Sequence, residues 1–143
     1  MQDLKGGEPR ALTPEGVDVA YDSHAVSPDG RTVAAAGADD RLWLFPVGGG
    51  KPLPIPGSDG KQRPANWSAD GLSIFTFEQQ GSSASVHRID VRTGRAGLWK
   101  RLAPADPAGI VQILDVDIDP EGRTYAYTYV RILSDLYIAE GLR

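Results

Sequence analysis

A four-residue turn motif that occurs three times limits the fold of this chain more than any other feature. Ser27-Pro28-Asp29-Gly30 is followed by Ser68-Ala69-Asp70-Gly71 and by Asp119-Pro120-Glu121-Gly122. The copies begin at positions 27, 68 and 119, so the spacings are 41 and 51 residues. Such residues favour a tight turn, because Ser and Asp accept backbone hydrogen bonds, Pro presets φ and Gly takes a left-handed conformation. Three copies in matching frames predict a repeated unit of short strands.

The residues around each turn repeat as well. A first strand-like run follows the turn at 32–36, 73–77 and 124–128, and a second run lies at 42–45, 86–89 and 136–139. One apolar residue precedes each turn: Val26, Trp67 and Ile118. A further strand follows a glycine turn, which gives four short strands per unit over roughly 40–45 residues, the period of a β-propeller blade.

The predicted fold is therefore all-β: a β-propeller with three four-stranded blades per chain. The blades span 15–57, 58–104 and 105–143, and the third lacks its outermost strand. Residues 1–14 supply an outermost strand that completes a last blade, and the extra residues of the second spacing, 102–114, form a loop insertion. Propellers close with about four to eight blades, so we expect a homodimer with strand exchange and six blades in all. Alternatively, the rest of the ring belongs to a longer gene product.

Composition removes several classes of function. The net charge is −4, and there is no basic stripe of the kind that nucleic-acid binding requires. There are no cysteines, which excludes disulfides and thiolate metal sites. No apolar run reaches the roughly 18 residues of a membrane span, and no signal peptide is expected at 1–10. The chain is predicted to be soluble and to make no membrane contact; the compartment stays open, since a longer exported or anchored protein could contain it.

The turn motifs carry a resemblance to a known family. The stretches 26–31 and 66–71, together with Gly6-Gly7-Glu8-Pro9-Arg10-Ala11-Leu12-Thr13, resemble the repeat of bacterial TolB-like propellers, which are WD-repeat-like. The tail at 127–137 is similar to the C-terminal ends of large bacterial proteins in which a serine/threonine kinase or a DNA-binding regulatory domain precedes such a propeller. The resemblance implies a sensor or interaction domain. This chain contains none of the kinase motifs.

Four residues are candidates for a binding site. Asn66 and Asp117 occupy equivalent places on predicted innermost strands, where polar groups line a propeller channel, and His24 starts another such strand. Trp99 lies on a predicted outermost strand beside Lys100-Arg101 and is expected to be exposed on a partner surface.

An acidic run around Asp117 invites comparison with a calcium loop. Asp115, Asp117 and Asp119 have the spacing of its first ligands. Position 6 is then Pro120 where that loop needs Gly, and position 12 is Ala126 where it needs Glu. A strand followed by a turn is the favoured interpretation, and no metal or cofactor is expected.

The sequence predicts a non-enzymatic module that binds a protein or peptide through its loops and channel. It contains no Gly-x-Ser-x-Gly elbow, and no motif places a nucleophile beside a histidine base. Two alternatives stay open: a ligand-sensing propeller attached to a serine/threonine-kinase-type receptor, and an accessory domain that gates a hydrolase. The fold alone does not decide among them.

Overall fold

The chain is all-β over the residues that the structure, a computed structural model, describes: 6, 8–13 and 26–138. These residues form nine strands and no helix, so none of them could cross a bilayer as a helix. The strands are β1 (Thr32–Ala36), β2 (Leu42–Pro46), β3 (Leu53–Pro54), β4 (Gln62–Trp67), β5 (Ser73–Gln80), β6 (Ser83–Asp90), β7 (Ala96–Leu102), β8 (Ile110–Ile118) and β9 (Tyr125–Arg131). They make three antiparallel sheets, β1-β2-β3, β4-β5-β6-β7 and β8-β9. The predicted all-β class is confirmed.

The repeated turns form as their residue types predict. In the second copy the Ser68 hydroxyl accepts a hydrogen bond from the backbone N–H of Ser73 at 3.0 Å, and the N–H of Gly71 closes the turn on the Ser68 carbonyl at 2.9 Å. Gly71 has a φ of 67°, in the left-handed region where a Cβ is unfavourable. In the third copy Asp119 replaces the serine, and its Oδ1 accepts from the N–H of Thr124 at 2.7 Å. Each turn therefore reverses the chain into the next strand.

The second sheet contains all four strands of a predicted unit, in chain order. Strand β5 is the most apolar, and residues 73–77 are buried although their side chains point alternately to the two faces. Ile74 packs towards the first sheet and Phe75 towards the third. Because both faces of this sheet are covered, a continuous apolar run is needed instead of an alternation of apolar and polar residues.

Two apolar clusters join the three sheets. One lies between the first and second sheets and includes Leu42, Ile74 and Ile89. The other lies between the second and third sheets and includes Val86 and Ile113. Each fully buried side chain of this size stabilises the fold by about 1.5–3 kcal/mol. The core is therefore made between sheets, and the second sheet is the centre of the stack.

The outer units have fewer described strands than the four predicted for the first unit and the three predicted for the third. Within the described residues the first sheet has three strands and a single bridge between Val26 and Val33, and the rest of the predicted innermost strand lies before residue 26, outside those residues. The third sheet has two, because residues 132–138 follow β9 without strand pairing. Residues 8–13 are likewise not in a strand, although an outermost strand is predicted for 1–14. Among the described residues, the end sheets therefore have strand edges without a full strand partner.

The predicted loop insertion at 102–114 is shorter in the structure. Strand β7 includes Leu102, and β8 begins at Ile110, so only 103–109 connect the strands. The apolar half of the insertion joins β8, where the pairing register with β9 shifts between Ile110 and Gln112 and again between Ile113 and Asp115. Such bulges accommodate extra residues within a strand, so this prediction was wrong for 110–114.

Candidate functional site

The structure brings together two of the residues predicted to line a channel. Asn66 at the end of β4 and Asp117 near the end of β8 both line a shallow depression of about 380 Å³, which Thr124 and Tyr125 also border. They lie on neighbouring sheets, because β4 packs beside β8. Two positions that are equivalent in the repeat thus also lie close together in the structure.

Asn66 connects the two sheets with both ends of its side-chain amide. Its Nδ2 donates to the carbonyl oxygen of Ile118 at 2.8 Å, and its Oδ1 accepts from the N–H of Trp67 at 2.8 Å. The side chain is half-buried. Half of its hydrogen-bonding capacity is used within the protein, so Asn66 helps to shape the depression.

The acidic run beside Asn66 is occupied by backbone contacts. Oδ1 of Asp115 accepts from the N–H of Val116 at 2.8 Å, and Asp119 accepts from Arg123 and Thr124 within its turn. The N–H of Thr124 is the main cause that lowers the pKa of Asp119 below its usual value. In the described part of the chain, no three His, Asp or Glu side chains are grouped so that they could hold a metal ion. Asp117 is exposed and is the carboxylate of this run that faces solvent most freely.

Trp99 is not the exposed partner residue that its place on an outermost strand predicted. It is half-buried between the second and third sheets, where its ring makes edge contacts with Phe75 at 5.4 Å and with Tyr125 at 5.9 Å between centroids. The pairing of β6 with β7 shifts register between Val86 and His87, at the level of Trp99. A shift of this kind re-aims side chains, and a bulge cannot be read from the spacing of apolar residues.

Trp99 belongs to a continuous row of aromatic rings, which no sequence motif indicated. The row continues along β9, because alternate residues of a strand share a face. The ring centroids of Tyr125 and Tyr127 are 6.5 Å apart, and those of Tyr127 and Tyr129 are 6.2 Å apart. The ammonium group of Lys100 lies 4.6 Å from the centroid of the Tyr125 ring, a cation–π geometry. The alternation of tyrosines on β9 was the signal that could have revealed this row.

A groove on the second sheet lies beside Trp99 and has a basic rim. It has a volume of about 630 Å³ and is lined in part by Arg88, Arg95, Leu98 and Trp99. The guanidinium of Arg88 sits 5.8 Å from the ring centroid of Phe75 and 3.4 Å from a carboxylate oxygen of Asp70. Arg88 and Asp70 are each about half exposed, so this ion pair contributes little to stability.

The first sheet presents an apolar depression on the face that points away from the second sheet. It has a volume of about 400 Å³ and is bordered by Trp43, Phe45, Lys51 and Pro52. The Nε1 of Trp43 donates to Asp39 at 2.9 Å, and this bond is the main cause that lowers the pKa of Asp39. A depression lined in this way is suited to apolar or aromatic side chains with few polar groups.

The last of the four candidate site residues is His24. His24 lies outside the described residues. His87 is half-buried, and its Nδ1 is buried without a hydrogen-bond partner among the described residues. The absence of catalytic function stays a prediction.

Comparisons with known proteins add no identification. No model of a known protein family matches this chain, and no curated protein is significantly similar to it.

Proposed function

We propose that this chain is a non-enzymatic protein-interaction module of the β-propeller type. The three sheets are successive blades, and two copies associate to form a ring of six. The channel edge near Asn66 and Asp117 and the connecting loops then accept a protein or peptide partner. The repeat of the turn motif and the stacking of the sheets in chain order support this assignment.

The observation that carries the proposal is the difference between the middle sheet and the two end sheets. The second sheet packs with apolar clusters on both faces. Neither cluster includes a described residue from the outward face of the first or third sheet. On the third sheet Val111 and Leu114 are 49% and 41% exposed. Exposed apolar side chains at one end of the stack and an apolar depression at the other favour association.

The two end faces carry one pair of complementary charges. In the repeat frame Trp43 is equivalent to His87, so Trp43 faces a preceding blade as His87 faces the first sheet. In a six-blade ring that preceding blade is the third sheet of the second copy. Its outward side includes Asp117 and Ala126, which are paired across β8 and β9. The exposed Lys51 at the rim of the Trp43 depression complements the carboxylate of Asp117.

Loop structure also suits an interaction module. The connection 103–109 is held to the end of β9 by Arg131, which donates to the carbonyl oxygen and to a carboxylate oxygen of Asp106, both at 2.7 Å. A loop that is ordered before binding loses less conformational entropy when a partner docks. The same sheets that form the core thus present a preorganised loop.

The test is the solution mass of the chain by size-exclusion chromatography with light scattering. We expect a mass near twice 15.3 kDa for the native chain. Ala126→Arg places a charge on the outward face of the third sheet and is expected to give a folded monomer. Ala96→Arg is the matched control, because Ala96 is exposed on β7, away from both end faces. A native chain that stays monomeric at every concentration, or a dimer that tolerates Ala126→Arg, would refute the proposed ring.

A further inference from the structure

The third sheet has a free edge along β9. Among the described strands β9 pairs only with β8, and its side chains Tyr125 and Tyr129 are 40% and 44% exposed. The backbone groups on the other side of β9 have no strand partner there. Such an edge accepts another strand readily.

An apolar segment directly follows this edge. Residues 132–138 include five large apolar side chains that are at least 62% exposed: Ile132, Leu133, Leu136, Tyr137 and Ile138. We call these residues the 132–138 segment. Their exposure to water is unfavourable in proportion to the apolar area, so the segment has a strong drive to dock against apolar surface.

The connection between β9 and residue 136 has a suitable length for a hairpin. In the second sheet, Gly81 and Ser82 are the two residues between β5 and β6. In the first sheet, 37–41 are the five residues between β1 and β2. If Tyr137 lies opposite Tyr127, then Asp135 lies opposite Tyr129. The five residues 130–134 between that pair lie within this range and include Ser134, which favours turns. The segment leaves the third sheet at Ile132, whose N–H donates to the carbonyl oxygen of Gly109 at 2.8 Å.

The repeat frame also defines a register for the segment. Ala35 pairs with Trp43 in the first sheet, and Thr76 pairs with His87 in the second. The equivalent positions in the third unit are Tyr127 and Tyr137. The Tyr127 ring packs towards the second sheet, so Tyr137 opposite it takes the same face and extends the aromatic row.

We infer that residues 136–138 dock in cis on the free edge of β9 as a third strand, with Tyr137 opposite Tyr127. Leu136 and Ile138 then point to the outward face of the third sheet, beside Thr128 and Ala126. Docking covers the open edge and enlarges the apolar face that meets the second copy. This inference depends on the equivalence of the three units in the proposed function, but not on the dimer.

A disulfide trap tests this register in the full chain. The chain has no cysteine, so Ala126→Cys with Ile138→Cys introduces the only two thiols. Directly opposed residues of antiparallel strands have Cα atoms about 4.5–5.5 Å apart, within disulfide reach. We expect a disulfide within one chain in most molecules of the monomer fraction under mild oxidation. Thiol alkylation and intact mass measure it.

Two controls make the result decisive. Thr128→Cys with Ile138→Cys is displaced by two residues and lies about 7–8 Å apart in the same register, so we expect several-fold less disulfide. Adding Tyr137→Asp to the first pair is expected to reduce its yield several-fold as well. A predominant disulfide between chains, or equal yields from both pairs, overturns the inference. Failure of the dimer is seen separately as a monomer mass, since the disulfide is scored within monomers.

Discussion

The side chain of Asn66 on β4 bonds to the carbonyl oxygen of Ile118 on β8, with 2.8 Å between Nδ2 and the oxygen. The two residues are 52 positions apart and belong to different sheets. Ile118 is the last residue of β8 and Asn66 the last but one of β4, each just before a repeated turn. The bond therefore joins consecutive units at the inner edge of the stack, where the N–H of Ala69 also donates to the carbonyl of Pro120 at 2.9 Å.

Asn66→Asp is expected to lower the free energy of unfolding by about 1–3 kcal/mol. The substitution keeps the size of the side chain but replaces the Nδ2 donor with an oxygen that faces the Ile118 carbonyl. Urea denaturation measures the change. Gln79→Glu is the matched control, because Gln79 donates to Gln112 across the same two sheets in an exposed place, and we expect a change within about 0.5 kcal/mol. Equal effects would contradict the role of Asn66.

Ser68 is expected to control the acid titration of Asp70. The Ser68 hydroxyl donates to Asp70 at 2.6 Å and is the main cause that lowers the pKa of Asp70, followed by the N–H of Leu72. A lowered native pKa means that this stabilisation is complete above the unfolded pKa of about 3.9. It is lost as the pH falls through the lower native pKa.

The variant Ser68→Ala should therefore raise the pKa of Asp70 towards its usual value and weaken the dependence of stability on pH in this acidic range. Carboxyl chemical shifts followed by NMR report the pKa. Asp119 is the internal control, because the backbone N–H of Thr124 is the main cause of its lowered pKa. If the titration of Asp70 is unchanged in Ser68→Ala, the hydroxyl does not have this role.

Gly94→Ala is expected to destabilise the second sheet by at least about 1–2 kcal/mol, the cost of a side chain in the left-handed region. Gly94 has a φ of 72°, and a Cβ there would collide with the carbonyl oxygen of Pro56. Thermal unfolding measures the loss. Gly97→Ala on β7 is the control, since a Cβ at that position meets open space, and it should leave stability the same or slightly higher. Similar losses in both variants would contradict this account.

Trp99→Ala is expected to lower the free energy of unfolding by about 2–3 kcal/mol, somewhat below the cost for a fully buried tryptophan. The loss arises from contacts with Phe75 and Tyr125. A double-mutant cycle with Tyr125→Ala should give a coupling energy of about 0.5–1.5 kcal/mol. Trp43→Ala, at a position bonded to Asp39 on an end sheet, should show no coupling to Tyr125. Additive effects of Trp99 and Tyr125 would show that the row does not act as a unit.

Much of the strand pattern could be predicted from local residue types. Strands β1, β5 and β9 follow the three turns as expected, and β2 and β6 follow in turn. The candidate site was predicted in part: Asn66 and Asp117 do border one depression. The expected exposure of Trp99 was wrong, because a register shift between β6 and β7 directs its ring between two sheets.

The amino-acid sequence by itself determined the turns and the antiparallel hairpins, because these depend on residues only a few positions apart. Only the tertiary structure decided how the units meet. Contacts such as Asn66 with Ile118, or Trp99 with Tyr125, depend on bulges and on the stacking of sheets, to which no short stretch of sequence is sensitive. The edge of β9 that has no partner among the described strands is likewise a property of the assembled stack, since it depends on which strands meet there.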